Sequence, residues 1–106
     1  MLQSLTPQDV ARVVILTRDE SRSEMALRGF IADLDEVAQH ELVAVMWIGR
    51  GAFEPDEFDD ALQTAIHEAT TPTADYLTGT PHLAENLEAG LESLGYDVHD
   101  EESAIL

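Results

Sequence analysis

Hydrophobic positions recur along most of this chain at intervals of three and four residues, the spacing of one face of an α-helix. Weaker stripes begin after Thr6, Ser23 and Thr80, and residues 74–78 can form one short helix. Ser23 is placed to cap the second helix, and Thr80 followed by Pro81 is the signal of a cap and a first helical residue for the sixth. The clearest stripe consists of Phe58, Ala61, Leu62, Ala65, Ile66 and Ala69. Sequence signals of β-hairpins are absent. The pattern therefore predicts an all-α fold of five to six short helices.

One segment departs from this pattern because it is apolar on every face. The seven residues 42–48 are all hydrophobic, and such a run fits a buried strand as well as a buried helix. Val37 and Ala38 extend the run upstream at helical spacing, which favours a single helix of about 14 residues, 36–49. A helix that is apolar all round is normally buried. We therefore predict a compact bundle with helix 36–49 at its centre.

Residues typical of helix ends support these boundaries. Thr6 is placed to cap the first helix, with Asp9 at the acidic position of a capping box. Asp35 is placed to cap helix 36–49, and the glycines of residues 49–51 can form its left-handed C-terminal turn. Gly29 lies inside the second helix, where glycine costs up to about 1 kcal/mol relative to alanine. Its presence predicts that a neighbouring element packs closely there.

Length and composition suggest one domain that needs no covalent support. The chain has 106 residues, of which 44% are hydrophobic, and it contains no cysteine. Thiol nucleophiles, thiolate zinc sites and disulfides are thereby excluded. We predict a single helical domain over residues 1–96, followed by an acidic, mobile tail at 97–106. A membrane span and a signal peptide are not evident, so we expect a soluble, cytoplasmic protein without membrane contact.

The charge balance is strongly negative and unevenly distributed. There are 22 acidic residues against five arginines, and the net charge is −17. Residues 1–53 hold all five arginines and eight of the acids, whereas residues 54–106 hold 14 acids and no base. Such a surface repels phosphate groups, so we expect no direct binding of nucleic acid. The acidic face is either solvated surface or a docking surface for a basic partner.

Three residues are candidates for weak ligand binding. Arg50 lies between two glycines and could hold a carboxylate or phosphate. We favour the simpler interpretation that this cation meets the negative end of the helix dipole and an acidic neighbour, for instance Asp75. Trp47 and Tyr76 could form the floor of a small pocket beside Arg50. We favour the competing interpretation that both aromatic residues pack in the core, with their polar atoms bound to backbone groups.

The sequence contains no pattern that we recognise as catalytic or metal-binding. His40 shares a helix face with Glu36, and His82 precedes Glu85 by three residues, but no second histidine lies within helical reach of either. A serine in a glycine elbow and a phosphate-binding loop are also missing. We therefore predict no catalytic residue, no metal site and no cofactor.

Two motifs carry a resemblance to a known family. Residues 41–51 include Trp-Ile-Gly-Arg-Gly, and residues 76–91 begin with Tyr-Leu-x-Gly-x-Pro. Together with Phe-Ile-x-x-Leu at 30–34, they resemble small bacterial proteins known as domain of unknown function 3775. The resemblance covers about residues 7–96, although members often have a longer insert where this chain has only residues 19–23. It implies a helical fold and a prokaryotic origin, and no activity, cofactor or partner.

We favour a non-enzymatic protein-binding or regulatory module that could form a homodimer. A bundle this small can leave a groove between its third and sixth helices, where an amphipathic partner could bind. The alternative is a small metal- or ligand-binding protein that uses Arg50, Tyr76 and a histidine. A further alternative is an acidic mimic of nucleic acid that blocks a basic protein.

Overall fold

A computed structural model describes residues 2–19 and 24–96. These residues form six α-helices and a single 3-10 turn, Pro55–Glu57, and they contain no β-strand. The all-α prediction is confirmed. The expected cap Ser23 and the tail predicted at 97–106 lie outside the described residues. The helices are α1 (Pro7–Arg18), α2 (Glu24–Asp33), α3 (Glu36–Gly49), α4 (Phe58–His67), α5 (Thr73–Thr78) and α6 (Leu83–Ser93).

Helix α3 is the centre of the bundle, as its hydrophobic pattern predicts. Each of the eight residues 41–48 is buried. Because α3 has no polar face over this stretch, it needs neighbours on all sides. Helices α4, α5 and α6 pack against it, while α1 packs against α6 and α2. One hydrophobic cluster contains side chains from all six helices. No described helix is long and apolar enough to cross a bilayer.

Helices α3 and α6 are in backbone contact where two glycines meet. A Cβ atom built on Gly49 would overlap the carbonyl oxygen of Asn86 and lie 2.8 Å from the backbone nitrogen of Gly90. A Cβ atom on Gly90 would overlap the carbonyl oxygen of Val45. The prediction of a groove between these helices is therefore wrong, because the backbones of α3 and α6 are in contact and leave no space for a partner helix between them. The close packing predicted at Gly29 is also wrong, since a Cβ atom there would meet nothing within 4 Å.

The predicted caps of the first and third helices form. Thr6 and Asp9 make both hydrogen bonds of a capping box, and Asp35 accepts a 2.8 Å bond from the backbone N–H of Ala38. The Ser4 hydroxyl donates a second hydrogen bond to Asp35. Donation by Ser4 and by Ala38 together lowers the pKa of Asp35. After α3, Gly51 adopts the expected left-handed conformation with φ of 86°.

The start of α6 differs from the prediction. Thr80 and Pro81 do not open the helix, which begins at Leu83 after an N-cap position occupied by His82. The Thr80 hydroxyl instead donates to the carbonyl of Tyr76, in the last turn of α5. His82 has a left-handed φ of 57° and makes no side-chain cap bond. The chain reverses here through a conformation that costs energy in any residue with a Cβ atom.

Replacing this histidine with glycine should therefore stabilise the protein. We expect His82→Gly to raise the free energy of unfolding by about 0.5–1 kcal/mol, because glycine adopts a left-handed φ without steric cost and serves adequately as an N-cap. The measurement is urea denaturation followed by far-ultraviolet circular dichroism. The control is Pro81→Gly, whose φ is not left-handed. A loss of stability in His82→Gly would contradict the interpretation of strain.

Candidate functional site

A cavity of about 190 Å³ opens between α3, the C-terminal end of α4 with the loop that follows it, and α5. We call it the Trp47–Tyr76 pocket. It forms because residues 68–72, which lead from α4 to α5, pass beside α3 without covering it completely. Its walls are lined by His40, Val43, Trp47, Ala65, Glu68, Ala69, Thr70, Thr71, Thr73 and Tyr76.

The two aromatic candidates from the sequence are brought together in this pocket. The indole N–H of Trp47 donates a 3.0 Å hydrogen bond to the Tyr76 hydroxyl, and the Phe53 ring stacks on Trp47 at a centroid distance of 5.9 Å. Trp47 is 9% exposed and Tyr76 is 37% exposed. Trp47 is therefore mainly a core residue, whereas the ring of Tyr76 presents substantial surface to solvent. The Tyr76 hydroxyl accepts the indole bond and retains its own hydrogen for another partner.

Arg50 does not belong to this pocket. It is exposed at the C-cap of α3, and its backbone N–H donates to the carbonyl of Met46, while that of Gly51 donates to the carbonyl of Ile48. The expected pairing of Arg50 with Asp75 is wrong, because Asp75 binds the guanidinium of Arg28, which raises the pKa of that guanidinium. Among residues 2–19 and 24–96, Arg50 makes no ion pair. The three sequence candidates thus separate into a pocket pair and a surface cation.

His40 is the histidine that the structure places at the pocket. Its side chain is 11% exposed, and its Nε2 atom lies 3.8 Å from Oε1 of Glu36, one helical turn away. A metal site requires three or more suitable side chains in one place. The described ranges contain no group of three or more histidine and carboxylate side chains placed to hold a metal ion. His40 is therefore best described as part of the pocket wall.

The size of the pocket limits what it can bind. Pockets for drug-sized ligands and cofactors have volumes of about 300–1,000 Å³. A volume of about 190 Å³ is too small for a nucleotide, but it is several times the roughly 30 Å³ that one water molecule occupies. The walls combine aromatic and aliphatic surface with hydroxyl and carboxylate groups. This arrangement suits a single group of about the size of an amino-acid side chain.

A second cavity, of about 250 Å³, lies between α1, α2, the end of α5 and the start of α6. Although it is larger, its main cation is already engaged, since the two guanidinium nitrogens Nη1 and Nη2 of Arg18 each donate to a carboxylate oxygen of Glu88. A second carboxylate oxygen, Oε2 of Glu85, lies 3.9 Å from Nη2 of Arg18. Carboxylates of the chain itself therefore occupy the place that an anionic ligand would need. We regard this cavity as a structural cleft.

Glu41 is a buried carboxylate that sequence reasoning did not single out. Its side chain is 0% exposed, and its two oxygens accept backbone N–H bonds from Gln3, Ser4 and Leu5 at 2.7–2.9 Å. A buried carboxylate is a candidate general acid or base. Here both oxygens are bound to the segment that precedes α1, away from the pocket. Glu41 therefore anchors the N-terminal segment on α3.

A signal for Glu41 was nevertheless present in the sequence. Residues 38, 41, 45 and 48 share one face of α3, and only position 41 of this stripe is charged. A carboxylate within a buried stripe requires hydrogen-bond donors. The sequence could therefore have predicted a polar partner, although not the segment that supplies it. Glu68 and the threonines of the loop offered no comparable pattern, because their place in the pocket depends on the path of residues 68–72.

Comparison with known proteins identifies the family and little else. The model of the family described as "Protein of unknown function (DUF3775)" matches residues 24–96, from the start of α2 to just beyond α6. Helix α1 lies outside the matched residues, although the resemblance had been expected to begin near residue 7. No curated protein and no solved structure matches the chain significantly. Since the family model covers more than two thirds of the chain, this protein belongs to the DUF3775 family.

Proposed function

We propose that this protein is a non-enzymatic protein-binding module, and that the Trp47–Tyr76 pocket receives one side chain of its partner. The observation that supports this proposal is a cavity of about 190 Å³ with aromatic walls, open to solvent beside the half-exposed ring of Tyr76. Protein interfaces derive much of their binding energy from a few side chains that fill pockets of this kind. Tyrosine and tryptophan are also enriched at such interfaces.

The proposal places binding at a different surface from the one that the sequence suggested. An amphipathic helix cannot enter between α3 and α6, because Gly49 and Gly90 bring the two backbones into contact. The outer surface of α5, with the loop that follows α4, remains available. In this region the partner would contact exposed Ala69, Thr70 and Thr71 around the inserted side chain.

The alternative with Arg50, Tyr76 and a histidine as one ligand site requires revision. Tyr76 and His40 line the same pocket, but Arg50 does not. A small-molecule site would thus lack the cation that was to hold an anionic ligand. The volume also favours a single inserted group over a metabolite of nucleotide size. We therefore prefer a side chain of a protein partner.

Trp47 provides a direct test, because it is the only tryptophan in the chain and it lines the pocket. The probes are N-acetyl amino-acid N-methylamides with leucine, norleucine, phenylalanine and arginine side chains. We expect one or more of them to shift the single indole N–H signal in ¹H–¹⁵N correlation spectra and to change tryptophan fluorescence, with millimolar dissociation constants. Contacts through one side chain do not support tighter binding than this.

Two matched variants decide whether the response arises in the pocket. Ala69→Phe adds a ring at an exposed lining position and should abolish the indole response. Ala89→Phe makes the same change at an exposed position of α6 outside the pocket and should leave the response intact. If no probe shifts the indole signal, or if Ala69→Phe responds like the unmodified protein, the proposed binding function is wrong.

A further inference from the structure

The charged groups around the Trp47–Tyr76 pocket are almost all negative. Glu68 lines the pocket, and Glu36 extends from α3 beside His40 with a side chain that is 89% exposed. No arginine is among the residues that line the pocket, and the chain contains no lysine. The pocket lining thus contains one carboxylate, Glu68, and a second, Glu36, lies one helical turn from the lining residue His40. This local field has the same sign as the net charge of −17.

Two helix ends meet the pocket, and their dipoles have opposite effects on a bound charge. The C-terminal end of α4, which favours a cation, has the stronger effect. Helix α4 has ten residues and ends at the pocket, where its last carbonyl groups carry a partial negative charge. Helix α5 begins there and would favour an anion, but it has only six residues, and the charge of Asp75 in its first turn is balanced by Arg28. The combined effect of Glu68, Glu36 and the end of α4 favours a cation.

The aromatic walls are suited to the same class of group. Cations bind favourably over the faces of tryptophan and tyrosine rings. The aliphatic stem of a long basic side chain can in addition pack on apolar surface while its charged end stays near carboxylates. Val43, Ala65 and the ring of Trp47 supply that apolar surface at the base of the pocket. Glu68, which is exposed, is available at its rim.

We infer that the side chain received by the Trp47–Tyr76 pocket is a basic one, an arginine or lysine of a basic partner protein. The inference rests on the proposed function and specifies the partner. It follows from three features: the carboxylate of Glu68 in the lining with Glu36 nearby, the C-terminal end of α4, and the aromatic walls. An arginine fits all three, since its planar guanidinium can stack on an aromatic ring and pair with a carboxylate.

A second copy of this chain is a less favourable source of that side chain. Arg50 is exposed and makes no ion pair in the described part of the chain, so it could in principle enter the pocket of another molecule. Two chains that each carry a net charge of −17 repel one another, however, whereas a basic protein is attracted. We therefore commit to a different, basic protein.

The test compares three probes with unbranched aliphatic stems on the full chain. They are the N-acetyl N-methylamides of arginine, norleucine and glutamate, titrated while the indole signal of Trp47 is followed. We expect the arginine probe to bind about fivefold more tightly than norleucine, as one cation–π contact allows, and glutamate to bind least. Added salt should weaken the arginine probe selectively, because its charge pairs with a carboxylate at the rim.

A matched pair of variants locates the charge effect. Glu68→Gln should weaken arginine binding about twofold to threefold and leave norleucine unchanged, which is the scale of one exposed ion pair. Glu92→Gln removes the same charge from an exposed position of α6 and should change neither affinity. Comparable binding of arginine and norleucine, or an equal effect of the two variants, would overturn the inference of a basic side chain while leaving the binding function in place.

The same experiment separates the remaining outcomes. If none of the probes, including norleucine, shifts the indole signal, both the binding function and the inference fail. If the unmodified protein self-associates in light scattering and Arg50→Gln abolishes the association, the partner is a second copy and the commitment to a different protein is overturned. Monomeric behaviour together with a preference for arginine supports the inference.

Discussion

Gly49→Ala is expected to lower the free energy of unfolding by about 2–4 kcal/mol, although alanine is normally the better helix former. The added Cβ atom would overlap the carbonyl oxygen of Asn86 and lie 2.6 Å from its carbonyl carbon. These are backbone atoms of α6, so no side-chain rotation can relieve the overlap, and the two helices must separate. Urea denaturation and a thermal melt measure the loss, which should lower the Tm by about 10 °C or more.

Gly29→Ala is the matched control for this prediction. It introduces the same methyl group in the middle of another helix, where a Cβ atom meets nothing within 4 Å. We expect a gain of about 0.5–1 kcal/mol from helix propensity alone. Opposite signs for the two substitutions would establish backbone contact between α3 and α6. A Gly49→Ala variant as stable as the unmodified protein would show that the helices do not meet at this point.

Glu41→Gln is the second large effect, and we expect it to cost about 2–4 kcal/mol. Three backbone N–H groups donate to the two carboxylate oxygens, and hydrogen bonds to charged groups contribute about 1.5–3 kcal/mol each. Glutamine keeps one acceptor oxygen but places a donor NH₂ group against the N–H of residues 3–5. Because the site is fully buried, water cannot replace the lost acceptor without opening the structure. Urea denaturation measures the loss.

Amide hydrogen exchange tests whether the effect is local. In Glu41→Gln the amides of Gln3, Ser4 and Leu5 should lose protection more strongly than those of α6, because the carboxylate is their acceptor. Glu92→Gln, which makes the same chemical change at an exposed site, should change stability by no more than about 0.5 kcal/mol. If both variants are equally stable, Glu41 does not anchor the N-terminal segment.

The helices could be predicted because their signals are local. Thr6 and Asp35 cap helices through bonds that reach only three residues along the chain. Gly51 ends α3 through its own φ angle. The hydrophobic run at 42–48 likewise required burial wherever the rest of the chain was placed. The prediction at Thr80 and Pro81 was wrong because the same local signal can also describe the end of the preceding helix, which is how Thr80 is used.

The pocket could be predicted only in part. Trp47 and Tyr76 were recognised as a pair, but they are 29 positions apart, and their hydrogen bond depends on how α5 is placed against α3. Asp75 is one acidic residue that the sequence offers to Arg50, yet it binds Arg28, because local sequence does not say which of several arginines a surface carboxylate will meet. The sequence does not show how α5 packs against α3. It therefore could not predict the volume of the pocket, the carboxylate in its lining or the position of Arg50 outside it.

By itself, then, the sequence determined that the protein is helical, where most of its helices begin and end, that residues 42–48 are buried, and that its surface is acidic. These properties depend on spacings of three or four residues and on composition. The tertiary structure alone decided that Gly49 meets Gly90, that Glu41 holds residues 3–5, and that a pocket remains beside Trp47. Those contacts join residues that are distant in the chain, and they form only when all the helices pack together.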